Sequence, residues 1–202
     1  MKKQIFSVTA LFLAGIAPAA AQSISSVYTK LDVGETCTEI DANEIGASFA
    51  CDGHPGYGFL LDEYDLRTSI FYGYVGDWYG EGAWESFQSF NGVNDTIEWR
   101  LHDGVPRATI LRWFIDNPDP NTGAPSEQTR GQVLVVSKVA QPGEGEGCVV
   151  AYVDARVNSD ANALAREAAD QLYATFQCRV DEPAFIGERG PYAGVPSRAF
   201  GP

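Results

Sequence analysis

Gly131-Gln-Val-Leu-Val-Val-Ser-Lys-Val139 and Cys148-Val-Val-Ala-Tyr-Val-Asp-Ala-Arg156 decide how this chain folds. Both are β-branched, aliphatic runs of strand length, and Pro142-Gly-Glu-Gly-Glu-Gly147 between them is dense in turn formers. They predict a hairpin, with one strand buried because its apolar residues hardly alternate with polar ones. Asp160 to Phe176 then reads as a helix. Asn158-Ser159-Asp160 offers N-caps, and Leu164, Ala165, Ala168, Leu172 and Phe176 form an apolar stripe. Arg166 and Asp170 are spaced to pair at i,i+4 on the opposite side, and the alanines let the helix lie close on a sheet.

Upstream, Ile97-Glu-Trp-Arg-Leu101 and Ala108-Thr-Ile-Leu-Arg-Trp-Phe-Ile115 flank Asp103-Gly104, a hairpin-turn dipeptide. Gly58 to Leu61 and Thr68 to Val75 read as strands, residues 22 to 56 as irregular β structure, and Asp116 to Arg130 as a long loop. Asp181 to Pro202, rich in turn formers, reads as a mobile tail. The expected fold class is α+β, a mostly antiparallel sheet built from hairpins with one long C-terminal helix packed on it. A signal peptide (1–21) precedes a single domain (22–180) and the flexible tail (181–202).

The signal peptide is read from Met1-Lys-Lys3, the apolar run Ile5 to Ala14 and the small-residue site Ala19-Ala-Ala21. No later run approaches the roughly 18 apolar residues of a membrane helix, so the expected location is periplasmic or secreted. In an oxidising compartment Cys37, Cys51, Cys148 and Cys178 read as two disulfides, for which sequence alone allows three pairings. A strand leaving Cys148 and a helix returning to Cys178 bring those two together. Cys37 and Cys51 flank a hairpin-sized interval.

Composition excludes more than it selects. The 14 basic and 27 acidic residues give a formal charge of −13, which disfavours nucleic acid as a partner. C-x-x-C, H-E-x-x-H, G-x-S-x-G and P-loop motifs are absent from the sequence. No cofactor or metal is indicated. Asp119-Pro-Asn-Thr-Gly123 reads as a turn rather than a calcium loop, and His54 and His102 as solvated turn residues.

One segment stands out. Residues 57–90 hold 11 of the chain's 24 aromatics, with six carboxylates and Arg67 as the single cation. Trp78, Tyr79 and Trp84, set among glycines with Asp77, Glu81 and Glu85, read as a loop that can stack on a sugar ring or a cationic side chain. The competing expectation is that the rings tuck back onto the core.

Ser25-Ser-Val-Tyr-Thr-Lys-Leu-Asp32, Asp65-Leu-Arg67, Ile97-Glu-Trp-Arg100, Thr109-Ile-Leu-Arg-Trp113, Gly131-Gln-Val-Leu-Val-Val136, Ala151-Tyr-Val-Asp-Ala155 and Asn162-Ala-Leu-Ala-Arg166 together resemble a group of uncharacterised exported proteins of alphaproteobacteria. The resemblance implies a periplasmic address and paired cysteines, and carries no activity. The export signal, paired cysteines, acidic charge, aromatic loop and absent catalytic motifs make the expected function non-enzymatic binding of a cationic protein or a cell-wall glycan. The alternatives are a hydrolase using two carboxylates from Asp77, Glu81, Glu85, Asp62, Glu63 and Asp65, or a structural envelope component.

Overall fold

Apolar side chains on both faces of adjacent strands leave them one place to go, the middle of a layered structure. The structure is a computed structural model that describes residues 23–200. In chain order the strands are β1 (Ile24–Lys30), β2 (Cys37–Asn43), β3 (Gly46–His54), β4 (Tyr57–Tyr64), β5 (Arg67–Tyr72), β6 (Trp84–Phe87), β7 (Asn91–Val93), β8 (Thr96–His102), β9 (Val105–Ile115), β10 (Gly131–Lys138), β11 (Val149–Asp154), β12 (Ala184–Phe185) and β13 (Pro196–Ala199). Helix α1 (Val33–Thr36) precedes β2 and α2 (Ala161–Leu172) follows β11.

The main sheet runs β1-β8-β9-β10-β11-β12, with β7 also on β9; a second sheet runs β2-β3-β4-β5, and β6 pairs with β13. Among the described strand pairs only β11 and β12 are parallel. Leu111, Trp113, Ile115, Val133 and Val135 meet Phe59, Leu61 and Ile70 of the small sheet in one core. Their alternates Ala108, Ile110, Leu134 and Val136 meet Ala161, Ala165, Ala168 and Ala169 of α2 in another. The result is three layers, small sheet on main sheet on helix, where a single sheet with a helix was expected.

The hairpins at Asp103-Gly104 and between β10 and β11 form as read. Asp103 and Gly104 both take positive φ (51° and 80°), the left-handed geometry of a two-residue turn. The long C-terminal helix does not form: α2 ends at Leu172, and the N–H groups of Thr175 and Phe176 both return to the Leu172 carbonyl. Phe176 turns into the alanine core, and a helix of about 18 Å already matches the six-residue strand β11 it must retrace.

Disulfides join Cys37 to Cys51 and Cys148 to Cys178, with Cα atoms 4.0 and 5.8 Å apart. Their sequence separations of 14 and 30 give chain-entropy contributions of about 3 and 3.5 kcal/mol. Replacing Cys148 and Cys178 together by serine is expected to cost the larger amount in chemical denaturation. A loss under about 1 kcal/mol would mean the unfolded chain is already constrained there.

The expected mobile tail is docked instead. Ala184–Phe185 extend the main sheet beside β11 and Pro196–Ala199 pair with β6. Isolated turn formers gave no periodicity, yet Phe185 stacks on Tyr152 with ring centroids 5.2 Å apart and Arg198 reaches the interior. Met1–Ala21, read as a signal peptide, lie outside the described residues. Among the described residues no helix is long and apolar enough to cross a membrane.

Candidate binding face of the small sheet

Strand register lines up four polar residues across the outer face of the small sheet. Asp41 faces Ser48, Ser48 faces Asp62, and Asp62 faces Ser69. Ser48 donates to Asp62 at 2.5 Å and its Oγ lies 3.3 Å from the Tyr64 hydroxyl. Tyr79 donates to both Asp62 carboxylate oxygens at 2.9 and 3.1 Å. Burial raises the Asp62 carboxyl above the usual aspartate range, against the lowering effect of the Ser48 and Tyr79 hydrogen bonds. Asp41, Ser48, Asp62, Tyr64, Tyr79 and Trp84 border a cleft of about 360 Å³.

The sequence from Gly76 to Phe87 predicts a loop. It is a 3-10 turn at Asp77–Tyr79 followed by strand β6, folded back over the outer face. Tyr79 packs edge-on to Phe71 at 5.6 Å, so for this ring the expectation of core packing holds. Trp84 is half-buried in the cleft wall, while Asp77 and Glu81 stand exposed. The side chain of Trp78 lies outside what the structure describes. Of the six proposed ligand contacts, Tyr79 and Trp84 therefore come together in the cleft.

Glu85 does not belong to that surface. Period-2 alternation along β6 turns it inward, where it is 1% exposed, accepts the Val149 N–H at 2.7 Å and pairs with Arg198 at 2.9 Å. Burial pushes its carboxyl up to about 7, outweighing the Val149 and Arg198 contacts that lower it.

A second polar cluster lies between β8 and α2. Alternation along β8 sends Ile97, Trp99 and Leu101 into the core between the sheets and Glu98, Arg100 and His102 toward α2. Arg100 forks onto Asp170 (Nε 2.9 Å, Nη2 2.5 Å) and Arg166 onto Glu98 (2.6 and 3.1 Å). The expected Arg166–Asp170 pair is thus replaced by two strand–helix pairs. His102 is buried 3.1 Å from Asp170, with its ring 4.4 Å from that of Tyr173, and is no solvated turn residue. The alternating Ile97-Glu-Trp-Arg-Leu-His102 pattern carried the signal, but not the identity of the layer beneath. His54 ends β3 beside Tyr57 and Trp99. Asp119 closes its turn by accepting the Asn121 and Thr122 N–H groups. Among the described residues no group of three or more His, Cys, Asp or Glu is placed to hold a metal ion.

Charge is unevenly shared along the chain. Residues 32–90 carry twelve carboxylates and one cation, Arg67, which is bound to Asp65. Ten of the twelve are exposed; Asp62 and Glu85 are buried. Residues 91–200 carry 15 carboxylates and 10 cations, interleaved in pairs such as those of β8 with α2. No protein family, curated protein or solved structure matches the chain.

Proposed function

We propose that this is an exported, disulfide-bonded, non-enzymatic binding module whose partner is a cationic protein, met by the small sheet and the segment folded over it. The observation that carries this is the ten exposed carboxylates of residues 32–90, whose single cation, Arg67, is already paired, as is Arg198 of the adjoining β13. Such a surface raises the local concentration of a positive partner and repels nucleic acid and anionic lipid. The two disulfides support an extracytoplasmic setting. The resemblance to exported alphaproteobacterial proteins agrees with that setting.

Glycan recognition is the second reading, favoured by one observation. The cleft joins the Trp84 ring to the polar groups of Ser48, Asp62 and Tyr64, a combination that suits stacking and hydrogen bonding to a sugar. Within this cleft Asp41 and Asp62 sit two strands apart, about 10 Å between backbones, which keeps carboxylate hydrolysis as the enzymatic version of that reading.

Titration with poly-lysine and with a soluble muramyl glycan fragment separates the readings. Poly-lysine is expected to bind and to weaken at least tenfold between 50 and 300 mM salt, because exposed charges act through a screened field. Glu39→Gln with Asp41→Asn should weaken it further without altering the melting temperature. Glycan binding that is salt-independent and lost in Trp84→Ala would replace this reading, and glycan cleavage lost in Asp62→Asn would make the protein an enzyme.

A further inference from the structure

Strand β2 closes the small sheet on one side only. It pairs with β3, no other described strand lies along it, and six of its seven residues are exposed. The pairing pattern fixes which backbone groups point away. The Cys37–Cys51 pair, 4.0 Å between Cα atoms, has the close spacing of a non-hydrogen-bonded pair, so the Cys37 carbonyl faces outward, while its N–H is taken up as the C-cap of α1. Two residues on, Glu39 opposite Phe49 repeats that geometry. A bulge at Ile40 resets the phase, and the two-residue turn Glu44-Ile45 makes Asn43–Gly46 the hydrogen-bonded closing pair, which leaves Ala42 facing outward again. Glu39 and Ala42 thus present N–H and C=O groups to open space, and Cys37 its C=O alone.

Charge then says what can lie there. Asp41 ends the polar row on the outer face, while Glu39 ends the row Phe49–Leu61–Ile70 on the other face, so carboxylates flank the open edge on both sides. A second copy of β2 would set Glu39 and Asp41 against their own like charges, which protects the edge from self-association. A strand carrying lysine or arginine meets the opposite situation. The main sheet's edge strand β1 offers no such match, for it bears Lys30 and no carboxylate.

We propose that the β2 edge takes an extended, lysine- or arginine-bearing segment of the partner protein as a fifth strand of the small sheet. This rests on the reading of a cationic partner and specifies how that partner is held: main-chain hydrogen bonds to Glu39 and Ala42 fix its direction, and Glu39 and Asp41 select its charge.

Three octapeptides test it on the purified protein: lysine–valine, lysine–proline of the same charge, and glutamate–valine. The lysine–valine peptide is expected to bind at least tenfold more tightly than the lysine–proline peptide, whose prolines remove the N–H groups a new strand needs, and to slow hydrogen exchange at the Glu39 and Ala42 amides. Ala42→Pro, which deletes one outward N–H at an edge position that tolerates proline, should weaken lysine–valine binding at least tenfold with the melting temperature unchanged. Equal binding of both lysine peptides with unprotected β2 amides would overturn strand addition while leaving the cationic partner standing. Failure of both lysine peptides to bind, or binding of glutamate–valine, would overturn strand addition and the cationic reading together.

Discussion

Arg198→Ala is expected to lower stability by about 3–5 kcal/mol at pH 8, the cost of stranding one member of a buried ion pair. Arg198 is only 10% exposed in its side chain and spans three anchors: Glu85 at 2.9 Å, Glu182 at 3.1 Å and the Asp181 carbonyl at 3.1 Å. Its removal leaves the Glu85 carboxylate facing the Val149 N–H alone and unfastens β13 from β6. The loss should shrink toward pH 5, where Glu85 takes up a proton and has no charge to strand. In the native protein the same group sets a slope of its own. Its folded value, about 7, lies above the ordinary glutamate value, so the folded state holds the proton more tightly than the unfolded chain. That contribution is fully present below the ordinary value and disappears as pH rises through about 7, worth about 3 kcal/mol across the window. The melting temperature is therefore expected to fall between pH 5 and 8, and Glu85→Gln should flatten the fall. A native protein whose stability is level or rises across that range would show that Arg198 holds Glu85 ionised throughout. Deleting residues 181–202 removes Arg198 and should be at least as damaging as Arg198→Ala.

Asp170→Ala is expected to cost about 3 kcal/mol or more. Asp170 is the carboxylate on which Arg100, 11% exposed in its side chain, makes two hydrogen bonds, and it also meets His102. Without it the guanidinium keeps Ser26 and a looser approach to Glu98 at 3.9 Å, while the face of β8 against α2 loses its main tie. Arg166→Ala provides the contrast, since this side chain is 41% exposed and Glu98, 11% exposed, keeps the Ser26 hydroxyl as a donor. Its loss should cost under about 1 kcal/mol. A double-mutant cycle on Arg100 and Asp170 reads their coupling directly, and a coupling below about 0.5 kcal/mol would show that the helix is held by its alanine stripe alone.

Local signals determined a good deal of this protein. The β-branched runs, the Asp103-Gly104 turn and the turn-rich spacer before Cys148 specified the hairpins, because pleat and turn geometry are read within a few residues. Both cysteine pairings were legible, since each follows from a hairpin or a strand and its return path. The acidic balance and the aromatic density of residues 57–90 pointed to the face where the carboxylates gather. What the tertiary structure decided is which layer each side chain meets. Alternation says that Glu85 and Trp84 face opposite ways, but only packing against β11 and Arg198 makes Glu85 interior and leaves Trp84 in a cleft. Helix spacing matched Arg166 to Asp170, yet the β8 residues beneath offered both of them nearer partners of opposite charge. The C-terminal segment has no period of its own, and its order comes from strands and a buried carboxylate more than a hundred residues earlier in the chain. Hairpins, turns and nearby disulfides are short-range physics written along the chain, whereas burial, charge pairing and the open edge of β2 depend on residues that meet only after the layers have closed.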